Sequence, residues 1–174
     1  MGDRYEIRCS SCGYGLEVTE GVGWLYSPKT VFYGHCNDPP QNWSVAFPDG
    51  YCEFDKPLLF SLVKNKSIRN KAFDLLANGA KPKYYGHELY MCPECMRFSN
   101  RFYFRLRSPD GNYEPDYKCG RCKTELKRVM IESDDVRTKV VYTKYKREVN
   151  WKCPKCGGKE IESNHGGISM TLWD

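Results

Sequence analysis

Eight of the chain's ten cysteines fall into four Cys-x-x-Cys pairs, at Cys9/Cys12, Cys92/Cys95, Cys119/Cys122 and Cys153/Cys156, and only Cys36 and Cys52 stand apart. A Cys-x-x-Cys turn sets two thiolates on one side of a tight loop, and two such turns supply the tetrahedral set that zinc binds at about 2.3 Å per sulfur. Four pairs predict two four-thiolate sites, hence a fold that brings knuckles distant in sequence together. A secreted disulfide framework would call for an apolar leader, but the opening residues MGDRYEIRCS are polar, so the thiols are expected to bind metal in a cytoplasmic setting. No window approaches the roughly 18 apolar residues that cross a bilayer.

The inner pairs stand at the ends of MCPECMRFSNRFYFRLRSPDGNYEPDYKCGRCKTELKRV, residues 91 to 129. Between them Phe102, Phe104 and Leu106 alternate with Arg101, Tyr103, Arg105 and Arg107, the period of a half-buried strand. Ser-Pro-Asp-Gly at 108 to 111 suits a type I turn. Matching apolar to apolar places Leu106 opposite Tyr113, Phe104 opposite Pro115 and Phe102 opposite Tyr117. A three-residue loop with a glycine bulge would slip the register and set Glu114 across from Leu106. In either register the strands return Cys119 to Cys95, so Cys92, Cys95, Cys119 and Cys122 can share an ion as the inner site.

This stretch resembles the zinc ribbon of transcription elongation factors and RNA polymerase subunits: knuckle, strand, acidic-tipped turn, strand, knuckle, third strand. The elongation factors carry an adjacent Asp-Glu pair at the tip. Here Asp110 is followed by Gly111, a departure that speaks against polymerase-linked cleavage.

With those four used, Cys9, Cys12, Cys153 and Cys156 form the outer site. CSSCGYGL and CPKCGGK resemble the two knuckles of rubredoxin, each a Cys-x-x-Cys-Gly. The residue after the second cysteine takes φ > 0 so that backbone N–H groups point at sulfur, a conformation glycine adopts at little cost. Sequential pairing, Cys9/Cys12 with Cys92/Cys95 and Cys119/Cys122 with Cys153/Cys156, is the alternative. RCSSCGYGLEVTEGVGWLYSP and ELYMCPEC are also similar to uncharacterised bacterial zinc-ribbon proteins, a resemblance that brings no activity with it.

Residues 21 to 55 are rich in Gly, Pro and aromatics with no sustained period and read as irregular chain. Asp55 is the expected N-cap of a helix over PLLFSLVKN, and Ser67 the start of a second, with Ile68, Ala72, Leu75 and Leu76 on one face and Gly79 closing it. Over 133 to 149 the β-branched run Val140 to Thr143 favours a strand after a turn at Ser133 and Asp134. The fold class is thus a small metal-bound α+β protein, two antiparallel zinc ribbons with a two-helix, loop-rich insertion. Its parts are an outer ribbon at 1–20 plus 145–174, an insertion at 21–90, an inner ribbon at 91–130 and a connector at 131–144.

Net charge is +5, all of it in residues 91 to 174, which hold seventeen Lys and Arg against twelve Asp and Glu. That half invites nucleic acid or an acidic protein, with Arg101, Tyr103, Arg105 and Arg107 as the candidate contacts. The bland reading is a solvated face, because Arg105 would meet Glu114 and Tyr103 would meet Asp116 across the hairpin. Cys36 and Cys52 are candidate ligands, with His35 beside the first, but in an apolar, aromatic context they read more readily as small buried hydrophobes. His35, His87 and His165 share no spacing with an acid or nucleophile, so no catalytic constellation is legible. The function expected is a binding or adaptor module with two structural zinc ions. The competing reading is a rubredoxin-like electron carrier with iron in the outer site.

Overall fold

The computed structural model of the chain describes residues 2–23, 26–34, 57–134 and 137–164. Two compact units emerge. The first takes residues 1–21, 87–101 and 116–172, and the second takes 22–86, 102–115 and 173–174.

In the first unit, β1 (Asp3–Cys9) pairs antiparallel on one side with β2 (Gly15–Glu20) and on the other with β9 (Ile161–Asn164). The second sheet runs β5-β4-β3-β6-β7-β8. Its members are β3 (Lys81–Met91), β4 (Phe98–Ser108), β5 (Gly111–Tyr113), β6 (Lys127–Ser133), β7 (Thr138–Tyr142) and β8 (Arg147–Glu148). The order β2-β1-β9 repeats in β4-β3-β6. In both, a central strand runs into a Cys-x-x-Cys turn, and a partner strand starts three residues after its second cysteine, at Gly15 and Phe98. A third strand starts five residues after the second cysteine of another knuckle, at Ile161 and Lys127, and lies antiparallel on the far side. One three-stranded motif is therefore built twice.

The apolar residues of these strands converge. Tyr5, Ile7, Val18, Leu89, Met91, Val129, Val140, Val149, Trp151 and Ile161 form one buried cluster that includes Cys9 and Cys153. Gly21 and His87 bridge through paired backbone bonds, and Asn100 donates from Nδ2 to the Thr19 carbonyl. The β-branched run is strand as expected, but Ser133 closes β6 and is not part of the turn: β6 and β7 pair from Val129↔Tyr142 to Ser133↔Thr138.

In the second unit the predicted hairpin register holds, with Leu106 opposite Tyr113 and Ser108 opposite Gly111. The returning strand is shorter than expected and ends at Tyr113. Pro115 has no N–H to give to a ladder. The expectation that 102–107 alternates between core and solvent also fails, because Phe102, Tyr103 and Phe104 are all buried. Phe32 packs edge-on to Phe104 and Tyr85, while Tyr84 covers Tyr103 at 5.5 Å. A strand covered on both faces shows no period of two.

Among the described residues there are three helices. The first, α1 (Pro28–Phe32), corrects the reading of 21–55 as irregular throughout. Ser27 caps it by accepting from the Thr30 N–H, and Pro28 stands in its first turn, where a missing N–H costs nothing. The second, α2 (Leu59–Leu62), occupies the predicted first helix but is a single turn; its expected cap Asp55 lies outside the described residues. The third, α3 (Lys66–Ala77), starts one residue before Ser67 because Asn65 is the cap, its Oδ1 accepting from the N–H groups of Ser67 and Ile68. It buries Ile68, Ala72, Phe73 and Leu76, and Gly79 follows in the left-handed region at φ 85°. Asn65→Ala is expected to lower stability by about 1 kcal/mol, read by thermal or denaturant unfolding; an unchanged midpoint would show that this cap contributes nothing.

Candidate metal centres

Four knuckles share one backbone pattern. In each, the N–H after the second cysteine donates to the carbonyl of the first: Gly13 to Cys9, Met96 to Cys92, Lys123 to Cys119 and Gly157 to Cys153, at 2.9–3.0 Å. The first cysteine's own N–H donates in turn to the carbonyl five residues on, in Tyr14, Arg97, Thr124 and Gly158. Closing so tight a turn forces the residue after the second cysteine into positive φ, which is 67° at Gly13 and 76° at Gly157. Met96 and Lys123 adopt the same conformation, at 55° and 62°, without glycine's freedom. The inner knuckles therefore carry strain that the outer ones avoid.

The motif doubled in the fold brings knuckles together in pairs. Cys9, Cys12, Cys153 and Cys156 form one cluster and Cys92, Cys95, Cys119 and Cys122 another, each with all four sulfurs within 4.8 Å. Sequential pairing is not what the chain adopts. Cys9 Sγ stands 3.7 Å from Cys156 Sγ, Cys12 Sγ 3.6 Å from Cys153 Sγ, and Cys95 Sγ 3.8 Å from Cys119 Sγ. A tetrahedron of sulfurs at zinc's bond length has edges of about 3.8 Å, whereas a disulfide would hold them at about 2.0 Å. All eight are free thiols, and each cluster could hold a metal ion.

The electrostatics suit a cation. The N–H groups of Cys122 and Arg121 point at Cys119 and bring its thiol down to about 6. Burial pushes Cys153 up, but the N–H groups of Lys155 and Cys156 outweigh it and leave the thiol at about 7. Cys122 is pushed up to about 12 by burial and by the facing Cys95 and Cys92. The Gly158 N–H pulls Cys156 down, yet the neighbouring sulfurs, Cys12 first, and burial carry it up to about 12. Each cluster thus sets a thiol drawn toward ionisation, Cys119 or Cys153, beside one pushed away from it, Cys122 or Cys156, a mutual repulsion that a dication would relieve.

Trp151 braces the first unit between the clusters. Its ring stacks on Phe98 at 5.6 Å, and its Nε1–H donates to the Met96 carbonyl at 3.0 Å. Trp151 precedes Cys153 by two residues, and Met96 follows Cys95 directly. Nothing in its spacing marked this residue; a large aromatic two places before a knuckle was the available signal.

The remaining predicted residues fare differently. Tyr103 is only 2% exposed and cannot offer its ring to a base, because aromatic chain covers the face expected to be solvated. Arg105 is ion-paired through Nε to Glu114 at 2.7 Å, as the hairpin register requires, while Arg101 and Arg107 are exposed. The four do not make one basic and aromatic face. His87 is part-buried, which lowers its pKa, and meets Asn100 Oδ1 at 3.2 Å through Nδ1. Cys36, Cys52, His35 and His165 lie outside the described residues. No described helix is long and apolar enough to cross a membrane.

A Cβ at Gly158 would stand 2.9 Å from Ser11 Oγ and 3.3 Å from the sulfurs of Cys9 and Cys156, whereas a Cβ at Gly120 meets nothing within 4 Å. Gly158→Ala is therefore expected to weaken metal retention at the outer cluster by about tenfold, with Gly120→Ala neutral, in competition with a chromophoric chelator. Lys123→Gly removes the left-handed strain of a side-chain-bearing residue and is expected to raise stability by about 1 kcal/mol, measured by denaturant unfolding of the metal-loaded protein.

No protein-family model, curated protein or solved structure matches this chain.

Proposed function

We propose that Cys9, Cys12, Cys153 and Cys156, and Cys92, Cys95, Cys119 and Cys122, ligate two structural zinc ions, and that the three-stranded motifs around them are zinc ribbons. The observation that carries this is the pair of four-sulfur clusters, each within 4.8 Å, whose facing knuckles approach to 3.6–3.8 Å, close to the edge of a tetrahedral zinc thiolate. Four thiolates complete the coordination of zinc and leave no position for water, so the metals serve the fold and not a reaction. They join segments some 140 and 25 residues apart in sequence, where the apolar cluster alone is modest. The protein acts as a binding or adaptor module for nucleic acid or an acidic protein. What supports this is the net positive charge of residues 91 to 174.

Elemental analysis of protein purified without added metal is expected to give two zinc per chain and a colourless solution. A red protein with one iron per chain would replace this reading with electron transfer at the outer cluster. Chelation should unfold the first unit. Because zinc displaces protons from thiols, its affinity falls as pH falls, and release should steepen once Cys119, the thiol held down to about 6, reprotonates. Metal retention unchanged by acid would count against thiolate ligation.

A further inference from the structure

The excess positive charge is concentrated in two segments of the first unit. Residues 118–128 and 143–148 contain Lys118, Arg121, Lys123, Lys127, Arg128, Lys144, Lys146 and Arg147 against Glu125 and Glu148. Eight cations against two carboxylates leave +6, more than the whole chain's +5. The sheet joins these segments: the Thr143 N–H donates to the Arg128 carbonyl, so the β7–β8 turn begins beside the start of β6, the strand that follows the Cys119–Cys122 knuckle. The carboxylates are already engaged, Glu125 with Lys127 at 2.7 Å and Glu148 with Arg137 at 2.8 Å. Lys118, Arg121, Lys144 and Arg147 form no ion pair among the described residues.

At the tip of that turn stands Tyr145, 69% exposed, the most exposed large hydrophobic side chain of the described chain. Lys144 Nζ lies 5.6 Å over its ring. The turn is held in one shape: the Lys146 N–H donates to the Tyr142 carbonyl at 2.9 Å, and Lys146 takes φ 50°. A lysine is kept where glycine would be unstrained, and its ammonium reaches across β6 to Met130 Sδ at 3.3 Å.

We infer that the β7–β8 turn, with Tyr145 as a stacking platform and Lys144, Lys146 and Arg147 as phosphate contacts, binds single-stranded nucleic acid. This rests on the binding-module reading and moves its contact surface away from Arg101, Tyr103, Arg105 and Arg107. An exposed ring among exposed cations suits unstacked bases on a phosphate chain, since every base has a π-face and every nucleotide a charge. An acidic polypeptide would use the cations but leave the ring idle.

The test is fluorescence anisotropy of labelled oligothymidylate with zinc-loaded protein over a range of salt, with polyglutamate as competitor. Wild type should bind with strong salt dependence. Tyr145→Ala should weaken binding about tenfold, Lys144→Ala and Lys146→Gly should each reduce the salt slope by about 0.7, and Arg107→Ala should change neither affinity nor slope. Lys146→Gly removes backbone strain as well as charge, so its lost binding would come with equal or higher thermal stability, which misfolding does not produce. If wild type binds but Tyr145→Ala and Lys144→Ala are indistinguishable from it, the turn is not the contact, while the nucleic-acid reading survives. If polyglutamate competes as well as unlabelled oligonucleotide, the inference is overturned in favour of an acidic protein. If wild type does not bind even at low salt, the nucleic-acid reading itself fails.

Discussion

The fold is arranged around sulfur meeting sulfur across long stretches of chain. β9 has only four residues and would gain little from pairing with β1 alone. Cys153 and Cys156, just before it, lie within 4.8 Å of Cys9 and Cys12 at the end of β1. The same device joins the start of β6 to the end of β3 through the inner cysteines. In both places the knuckle's own hydrogen bonds orient the sulfurs, so side-chain geometry follows from backbone closure.

Repetition of one motif explains why the two clusters share a unit. β2-β1-β9 and β4-β3-β6 have the same order and the same spacing of strands from cysteines, and the buried faces of both feed the cluster around Ile7, Leu89, Met91 and Trp151. Trp151 ties the halves with one ring stack and one hydrogen bond, to residues flanking the second cysteine of an inner knuckle. Cys9 and Cys153 belong to the apolar cluster as well as to a sulfur cluster. Packing and thiolate placement therefore constrain each other. Charge is left to the outside, where β7–β8 and the segment around the Cys119–Cys122 knuckle collect it.

Much of this was legible because it is local. Cys-x-x-Cys spacing is a property of a few bonds, and glycine at 13 and 157 announces the positive φ that closes the turn. The register Leu106↔Tyr113 followed from apolar pairing about one short loop. Met96 and Lys123 show the limit of the glycine signal: hydrogen bonding in the knuckle imposes the same φ on residues that disfavour it. Asn65 supplanted Ser67 because a capping oxygen must precede the N–H groups it satisfies, and Asn65 alone reaches two of them. The helix at Pro28–Phe32 was missed because one short turn shows no period, although Ser27-Pro28 is a start signal in its own right.

The amino-acid sequence by itself determined that thiolates would come in pairs on tight turns, that the 98–113 hairpin would take its register, and that the positive charge would sit in the second half. Those are consequences of neighbouring residues and hold whatever the chain does elsewhere. Only the tertiary structure decided which knuckles meet, that Tyr103 is buried while Tyr145 is bare, and that the turn carrying Lys144 and Lys146 begins beside Arg128. Each of these depends on which surface a second segment covers, and coverage is set by long-range packing that no short window of sequence contains.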